Sequence, residues 1–203
     1  RCIIIYCKNI IMLSYSEPLD PSLFQPLLEE YKKASIPIYG ERKNSGRGQS
    51  QSIGILSRRN YGIGFSRNNR RYASILTEAR KLAKIICPQI NYSTIMLNVN
   101  YEAAAHRDKN NVGASCVVGF GDYEGGDLKI GDTEYSIRYR PLTFQAANNT
   151  HSVASITSGT RYSIVFFRQR FPRKFYEKYS ESLTYDEIAA LIPPSNGQPD
   201  SAV

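Results

Sequence analysis

The chain holds only two histidines, His106 and His151, and His106 stands two residues before Asp108 in the segment YEAAAHRDKNN that runs from Tyr101 to Asn111. On an extended segment positions i and i+2 face the same side. The imidazole of His106 and the carboxylate of Asp108 therefore present together, and Arg107 faces away. His151, brought in on a neighbouring strand, would add a third ligand. Two imidazoles and one carboxylate on one face of an ion leave its other positions open, which suits Fe(II) and O2 chemistry: the open positions take a bidentate organic acid and dioxygen. Zinc prefers a closed tetrahedron of nitrogen and sulfur, and no cysteine lies at ligand spacing from either histidine.

Arg161 opens the run RYSIVFF, which ends at Phe167. Its β-branched and aromatic content predicts a buried strand, and a guanidinium there needs an anion. A dicarboxylate supplies one, with its distal carboxylate held in a fork by Arg161 and its 2-oxo acid end on the metal. Ser163 faces the same way and offers a hydroxyl. The competing readings are a solvated polar pair at His106 and Asp108, a loop residue at His151, and a strand-end arginine at Arg161 paired with a protein carboxylate.

His-x-Asp, the Gly-Gly-Asp-Leu of Gly125 to Leu128, the later His151 and an Arg-x-Ser ten residues beyond it follow one another in an order that resembles the Fe(II)/2-oxoglutarate-dependent dioxygenases. HRDKNN followed by GDYEGGDL is most similar to the TET/JBP-type nucleic-acid base hydroxylase branch of that superfamily. The matched region runs from about Ser93 to Phe167. The resemblance implies a mainly β fold with flanking helices (α+β) around a double-stranded β-helix, a jelly-roll or cupin-like core. It implies Fe(II), O2 and 2-oxoglutarate as co-substrate, ascorbate as reductant, and a role for Asn98 at the iron-side carboxylate of the co-substrate. The activity implied is oxidative decarboxylation of 2-oxoglutarate to succinate coupled to hydroxylation of a nucleic-acid base. The favoured target is the methyl group of 5-methylcytosine or thymine in DNA, which must leave the stack to reach the metal. A protein hydroxylase of prolyl type is the alternative, since related cores serve both substrate classes. A silent binding module is a third, and the intact His106, Asp108, His151 and Arg161 speak against it.

The charge fits a polyanionic partner. The 203 residues carry a net charge of +8, and the stretch from Arg42 to Lys84 holds eleven of the 26 basic residues against one acid, Glu78. The remainder has 15 basic and 17 acidic residues, so the positive field belongs to one region. Arg58, Arg59, Arg67, Arg70 and Arg71 alternate there with aromatic and amide residues, a texture that suits phosphates and unpaired bases. Asn110 and Asn111, beside the metal ligands, are candidates for the substrate pocket or for a plain turn. No obligate protein partner is evident. Cys2, Cys7, Cys87 and Cys116 form no Cys-x-x-Cys pair, which points to a reducing compartment inside the cell, nuclear or cytoplasmic. No run reaches the roughly 20 apolar residues of a membrane span. The leading eleven residues are too short and too interrupted for a signal peptide, and with no Met at position 1 they are read as a fragment end or upstream read-through.

The elements that must hold these residues follow from pattern. Asp20 and Pro21 begin a helix to Ala34, with Leu23, Phe24, Leu27, Leu28 and Tyr31 as its apolar stripe. A second helix runs from Tyr72 to Cys87, and a capping box at Thr184 and Glu187 starts a short third one. Strands are expected from Ile36 to Tyr39, within 53–65, and from Ser93 to Asn100. Ser115 to Phe120 and Asp127 to Ile130 are expected to pair around the Gly125-Gly126 turn, and further strands cover 134–138, 141–144 and 161–167. In domain terms, 1–19 is an extension, 20–192 a single domain with its core at 93–167 and a basic insert at 40–71, and 193–203 a flexible tail.

Overall fold

The computed structural model describes residues 3–7, 10–42, 46–58 and 62–193. Strands β1 (Ile3–Cys7) and β2 (Ile10–Tyr15) lead to a 3-10 turn at Pro21–Phe24 and helix α1 (Gln25–Lys33). Asp20 caps that turn by accepting from the Ser22 amide at 2.9 Å. Strands β3 (Ile38–Arg42), β4 (Gly46–Arg58) and β5 (Gly62–Phe65) precede the helices α2 (Asn68–Arg71) and α3 (Ala73–Ile86). Then come β6 (Thr94–His106), β7 (Asn111–Phe120), β8 (Tyr123–Gly125), β9 (Leu128–Ile130), β10 (Thr133–Tyr135) and β11 (Leu142–Phe144). The strands β12 (His151–Val153), β13 (Ile156–Gly159) and β14 (Tyr162–Gln169), with helices α4 (Arg173–Tyr176) and α5 (Tyr185–Ala190), complete the chain.

The named strands pair antiparallel. One layer runs β1, β2, β11, β7, β14, β6, with β4 on the far side of β6; the other, β12, β9, β10, branches from the distal end of β6. β6 therefore belongs to both layers, and the sheet curls around it.

Alternation sorts the side chains into two compartments. Ile95 and Leu97 of β6, Cys116 and Val118 of β7, and Ile164 and Phe166 of β14 face a core shared with Phe24, Leu27 and Tyr31 of the first helical segment and Ile75, Ala79 and Leu82 of α3. Their neighbours Met96, Asn98, Ser115, Val117, Ser163 and Val165 line a cavity on the opposite face. Phe120 is fully buried, with the Phe24, Tyr31 and Tyr162 rings 5.3–5.9 Å away. Leu23, expected on the helix stripe, is 40% exposed, because the 3-10 turn rotates it off the buried face.

Strand β2, within 1–19, is hydrogen-bonded to β11 in the large sheet, and β4, within 40–71, pairs with β6 from Arg47 to Gly54. The structure corrects one expectation. The strands flanking Gly125-Gly126 do not pair with each other: β7 lies between β11 and β14, while β9 lies between β10 and β12. The two glycines do take positive φ, 74° and 68°, as the turn required, and the capping box at Thr184 is formed. Of the tail 193–203, all but residue 193 lies outside the described residues. Among those described, no helix is long and apolar enough to cross a membrane.

Candidate metal centre and its cavity

His106 is the last residue of β6 and His151 the first of β12, and the antiparallel register sets them opposite one another. Asp108 follows in a turn rather than on the strand, with its amide donating to the Ala146 carbonyl at 3.0 Å. The turn still points its carboxylate at both rings. His106 Nε2 lies 3.6 Å from Asp108 Oδ1, and His151 Nε2 lies 3.8 Å from Asp108 Oδ2. The three ligand atoms all fall within 4.8 Å of one another.

The ring nitrogens are already assigned by their partners. His106 Nδ1 is 2.7 Å from the Ala104 carbonyl and His151 Nδ1 is 3.0 Å from the Asn149 carbonyl. A carbonyl only accepts, so each Nδ1 carries the proton and each Nε2 keeps its lone pair for the shared point. Burial pushes the His151 pKa below the ordinary histidine value, which favours the neutral form a metal requires. Two imidazole nitrogens and a carboxylate on one side, with no sulfur, fit a divalent iron with open positions.

Asn111, at the start of β7, is 7% exposed and donates through Nδ2 to Asp108 Oδ2 at 3.3 Å. It lines the cavity together with Asn110, but its amide is committed to the carboxylate ligand.

Deeper in the cavity of about 380 Å³ lies Arg161, only 2% exposed. Nη1 donates to Ser163 Oγ at 3.1 Å, while Nε is buried without a hydrogen-bond partner among the described residues. No carboxylate makes an ion pair with it there. The guanidinium lies over the Tyr123 ring at 5.8 Å, and burial pulls its pKa down against the opposing pull of Tyr123 and Asp127. A buried cation with an unused donor fits an incoming carboxylate. Gly126 makes the room: a Cβ there would sit 2.6 Å from Arg161 Cδ. Asn98, 6% exposed, also faces the cavity; it accepts from the Ser50 hydroxyl at 2.7 Å through Oδ1 and so keeps its N–H donors for another partner.

Three supporting residues escaped the sequence reading. Asn100, at φ 47°, accepts from the Arg161 amide at 2.7 Å and fixes its backbone; a polar residue in a strand with no obvious turn was its only signal. Tyr123 and Ser50 carried none, because each acts through a neighbour far away in sequence.

Not all basic residues of the 40–71 stretch are described. Arg67, Arg70 and Arg71 are exposed and outside the cavity lining. Arg71 donates to the Ser35 carbonyl at 3.1 Å, and α2 continues into α3 on the helix-bearing face. The backbone of Arg58 ends β4, while its side chain and Arg59 lie outside the described residues.

No protein-family model matches the chain, and no curated protein matches it. Solved structures share its fold. NgTET1 in complex with 5mC DNA superposes with a TM-score of 0.61 at 16% identity, covering 83% of this chain and 76% of that one. An oxidoreductase of the 2OG-Fe(II) oxygenase family from Burkholderia pseudomallei superposes at 0.55 and 13% identity, covering 76% and 84%. A prolyl-4-hydroxylase from Pseudomonas putida aligns at 0.48 and 17%, covering 78% and 92%. The chain shares the fold of the first two, and its curled antiparallel sheet is the jelly-roll or double-stranded β-helix kind of core that the sequence resemblance implies.

Proposed function

We propose that this chain is an Fe(II)- and 2-oxoglutarate-dependent dioxygenase that hydroxylates a pyrimidine methyl group in DNA. The observation that carries the reading is the single cavity shared by two imidazoles, one carboxylate and a buried arginine whose Nε has no hydrogen-bond partner among the described residues. Bound there, Fe(II) with O2 and 2-oxoglutarate supplies oxidative decarboxylation to succinate and hydroxylation of a C–H bond.

His106, His151 and Asp108 hold the metal, the histidines through Nε2. Arg161 and Ser163 take the distal carboxylate of the co-substrate, and Asn98 offers its amide to the carboxylate at the metal end. Val117, Leu128, Phe144, Val153 and Val165 give the cavity apolar walls that exclude water from the reacting centre. The base as substrate is supported by the sequence resemblance and by the fold shared with NgTET1, whose complex holds 5mC DNA.

The test is mass spectrometry of nucleosides from DNA and RNA incubated with the protein, Fe(II), ascorbate and 2-oxoglutarate, beside a peptide pool. A hydroxymethylated pyrimidine from DNA, formed with matching succinate, is expected. Hydroxylated peptide with unmodified nucleosides would move the substrate to protein, and no iron-dependent succinate from any sample would remove the activity altogether.

A further inference from the structure

Three cations that hold no part of the metal or co-substrate are chain neighbours of residues lining the cavity on its metal side: Arg107 and Lys109 flank Asp108, and Arg170 follows Gln169. Arg107, Lys109 and Arg170 are all exposed. They come from different segments that the fold joins: the Arg170 amide donates to the Asn110 carbonyl at 2.7 Å, and Gln169 pairs with Asn111 across β14 and β7. Arg107 reaches the other side of the metal site, where its Nε donates to Thr150 Oγ1 at 2.9 Å, next to His151. Asn110, Asn111 and Gln169, which link these positions, all line the cavity.

What sets this group apart is its place next to residues that line the cavity, since Arg67, Arg70 and Arg71 are equally without an ion pair among the described residues. Arg47, Arg80, Arg138, Arg140 and Arg173 each face a carboxylate. Among the described residues, Arg107, Lys109 and Arg170 make no ion pair. Unpaired cations at the lip of a low-dielectric cleft concentrate an anion there, and a guanidinium donates to phosphate oxygens in a fork. Arg67, Arg70 and Arg71, at and in α2, neither line the cavity nor adjoin a residue of the candidate metal site in the chain.

We propose that Arg107, Lys109 and Arg170 form the phosphate-binding rim over which a nucleic-acid strand delivers its base to the metal. The inference rests on the nucleic-acid reading above and locates its contact surface. Phosphates that flank the target nucleotide bind the three cations, and the apolar cavity behind them receives the unstacked base.

The experiment is fluorescence anisotropy of labelled DNA containing 5-methylcytosine, single- and double-stranded, over a range of salt. It compares the native chain, the triple variant Arg107→Gln/Lys109→Gln/Arg170→Gln, and Arg67→Gln/Arg70→Gln from the helix face. The triple variant should lose roughly tenfold or more in affinity and flatten the slope of log K on log salt by about 0.7–0.9 per phosphate contact removed; the helix-face variant should match the native chain. Should the triple variant melt early, the single variants Lys109→Gln and Arg170→Gln, both on exposed positions, carry the same comparison. Native affinity and slope in the rim variants, with loss in the helix-face variant, would place the contact at α2. A native chain that binds no nucleic acid at low salt overturns the substrate reading itself, a result distinct from misplacing the rim.

Discussion

His106 and His151 face one another across β6 and β12, with ring centroids 4.3 Å apart. The antiparallel register brings together two residues far apart in the chain, and Asp108 meets both from the turn that follows. The centre should therefore fail as a unit. Asp108→Ala and His151→Ala are each expected to lose Co(II) binding by well over the roughly 10–100-fold that removing a supporting hydrogen bond costs. Far-UV circular dichroism should remain native. Titration with Co(II), followed by visible absorption, reads this directly, and native affinity in either variant would refute the ligand assignment.

Asn111 tests how far that centre depends on its support. Its Nδ2 donates to Asp108 Oδ2 at 3.3 Å and lies 3.5 Å from Ser115 Oγ. With Asn111→Ala the carboxylate keeps its place in the turn but loses the donor that orients it. Metal affinity should fall by about 10–100-fold with all three ligands present. The same Co(II) titration decides it. An unchanged affinity in the alanine variant would return Asn111 to the role of a substrate contact.

Much of this centre was legible in the sequence, because metal ligands and buried charges are defined by residue type and local spacing. His106, Asp108 and Arg161 each carry their signal within a few positions. The helices were equally legible from the 3.6-residue period of Phe24, Leu27 and Tyr31 and of Ile75, Ala79 and Leu82. What alternation does not encode is which strand lies beside which. A period of two assigns a face and is silent on the neighbour, so β7 and β9 read as a hairpin when the curled sheet sends them to different layers. The placement of the arginines at 67–71 was not legible for a related reason. Asn69 clamps α2 to β4 by accepting from the Gly54 amide at 2.7 Å and donating to its carbonyl at 3.1 Å, and composition cannot say which face that clamp selects.

Phe120 tests the framing of the site. It closes β7 at 0% exposure and touches Phe24, Tyr31 and Tyr162, the last of which follows Arg161 directly. Phe120→Ala is expected to destabilise the fold by about 3–5 kcal/mol, whereas Phe120→Leu should lose less. Urea unfolding measures both. A loss below about 1 kcal/mol for the alanine variant would mean that the helices do not brace this end of the sheet.

Gly126 should be intolerant of a side chain. Its φ of 68° strains any L-residue, and an added Cβ would meet Arg161 Cδ at 2.6 Å. Gly126→Ala is expected to cost about 1 kcal/mol or more in urea unfolding and to raise the 2-oxoglutarate concentration needed for half-maximal succinate release by roughly tenfold, the equivalent of about 1.4 kcal/mol. If the requirement stayed native while stability fell, Arg161 would not be the group that meets the co-substrate.

Arg161 itself allows a test in which stability and ligand binding move apart. The guanidinium is 2% exposed, has no carboxylate partner among the described residues, and leaves Nε without a hydrogen bond. Such a group is a burden on the empty fold, since a buried charge without its partner is worth less than an apolar side chain of similar volume. Arg161→Met should accordingly melt no lower than the native chain in the absence of 2-oxoglutarate. Addition of the co-substrate reverses the order. With metal present, a concentration of about 100 times Kd stabilises the native chain by about 2.7 kcal/mol, a rise of roughly 5–10 °C for a chain of this size, while Arg161→Met should gain little. Thermal melting of both proteins with Mn(II), with and without 2-oxoglutarate, measures all four states. Equal stabilisation of the two would show that the distal carboxylate is held by some other group.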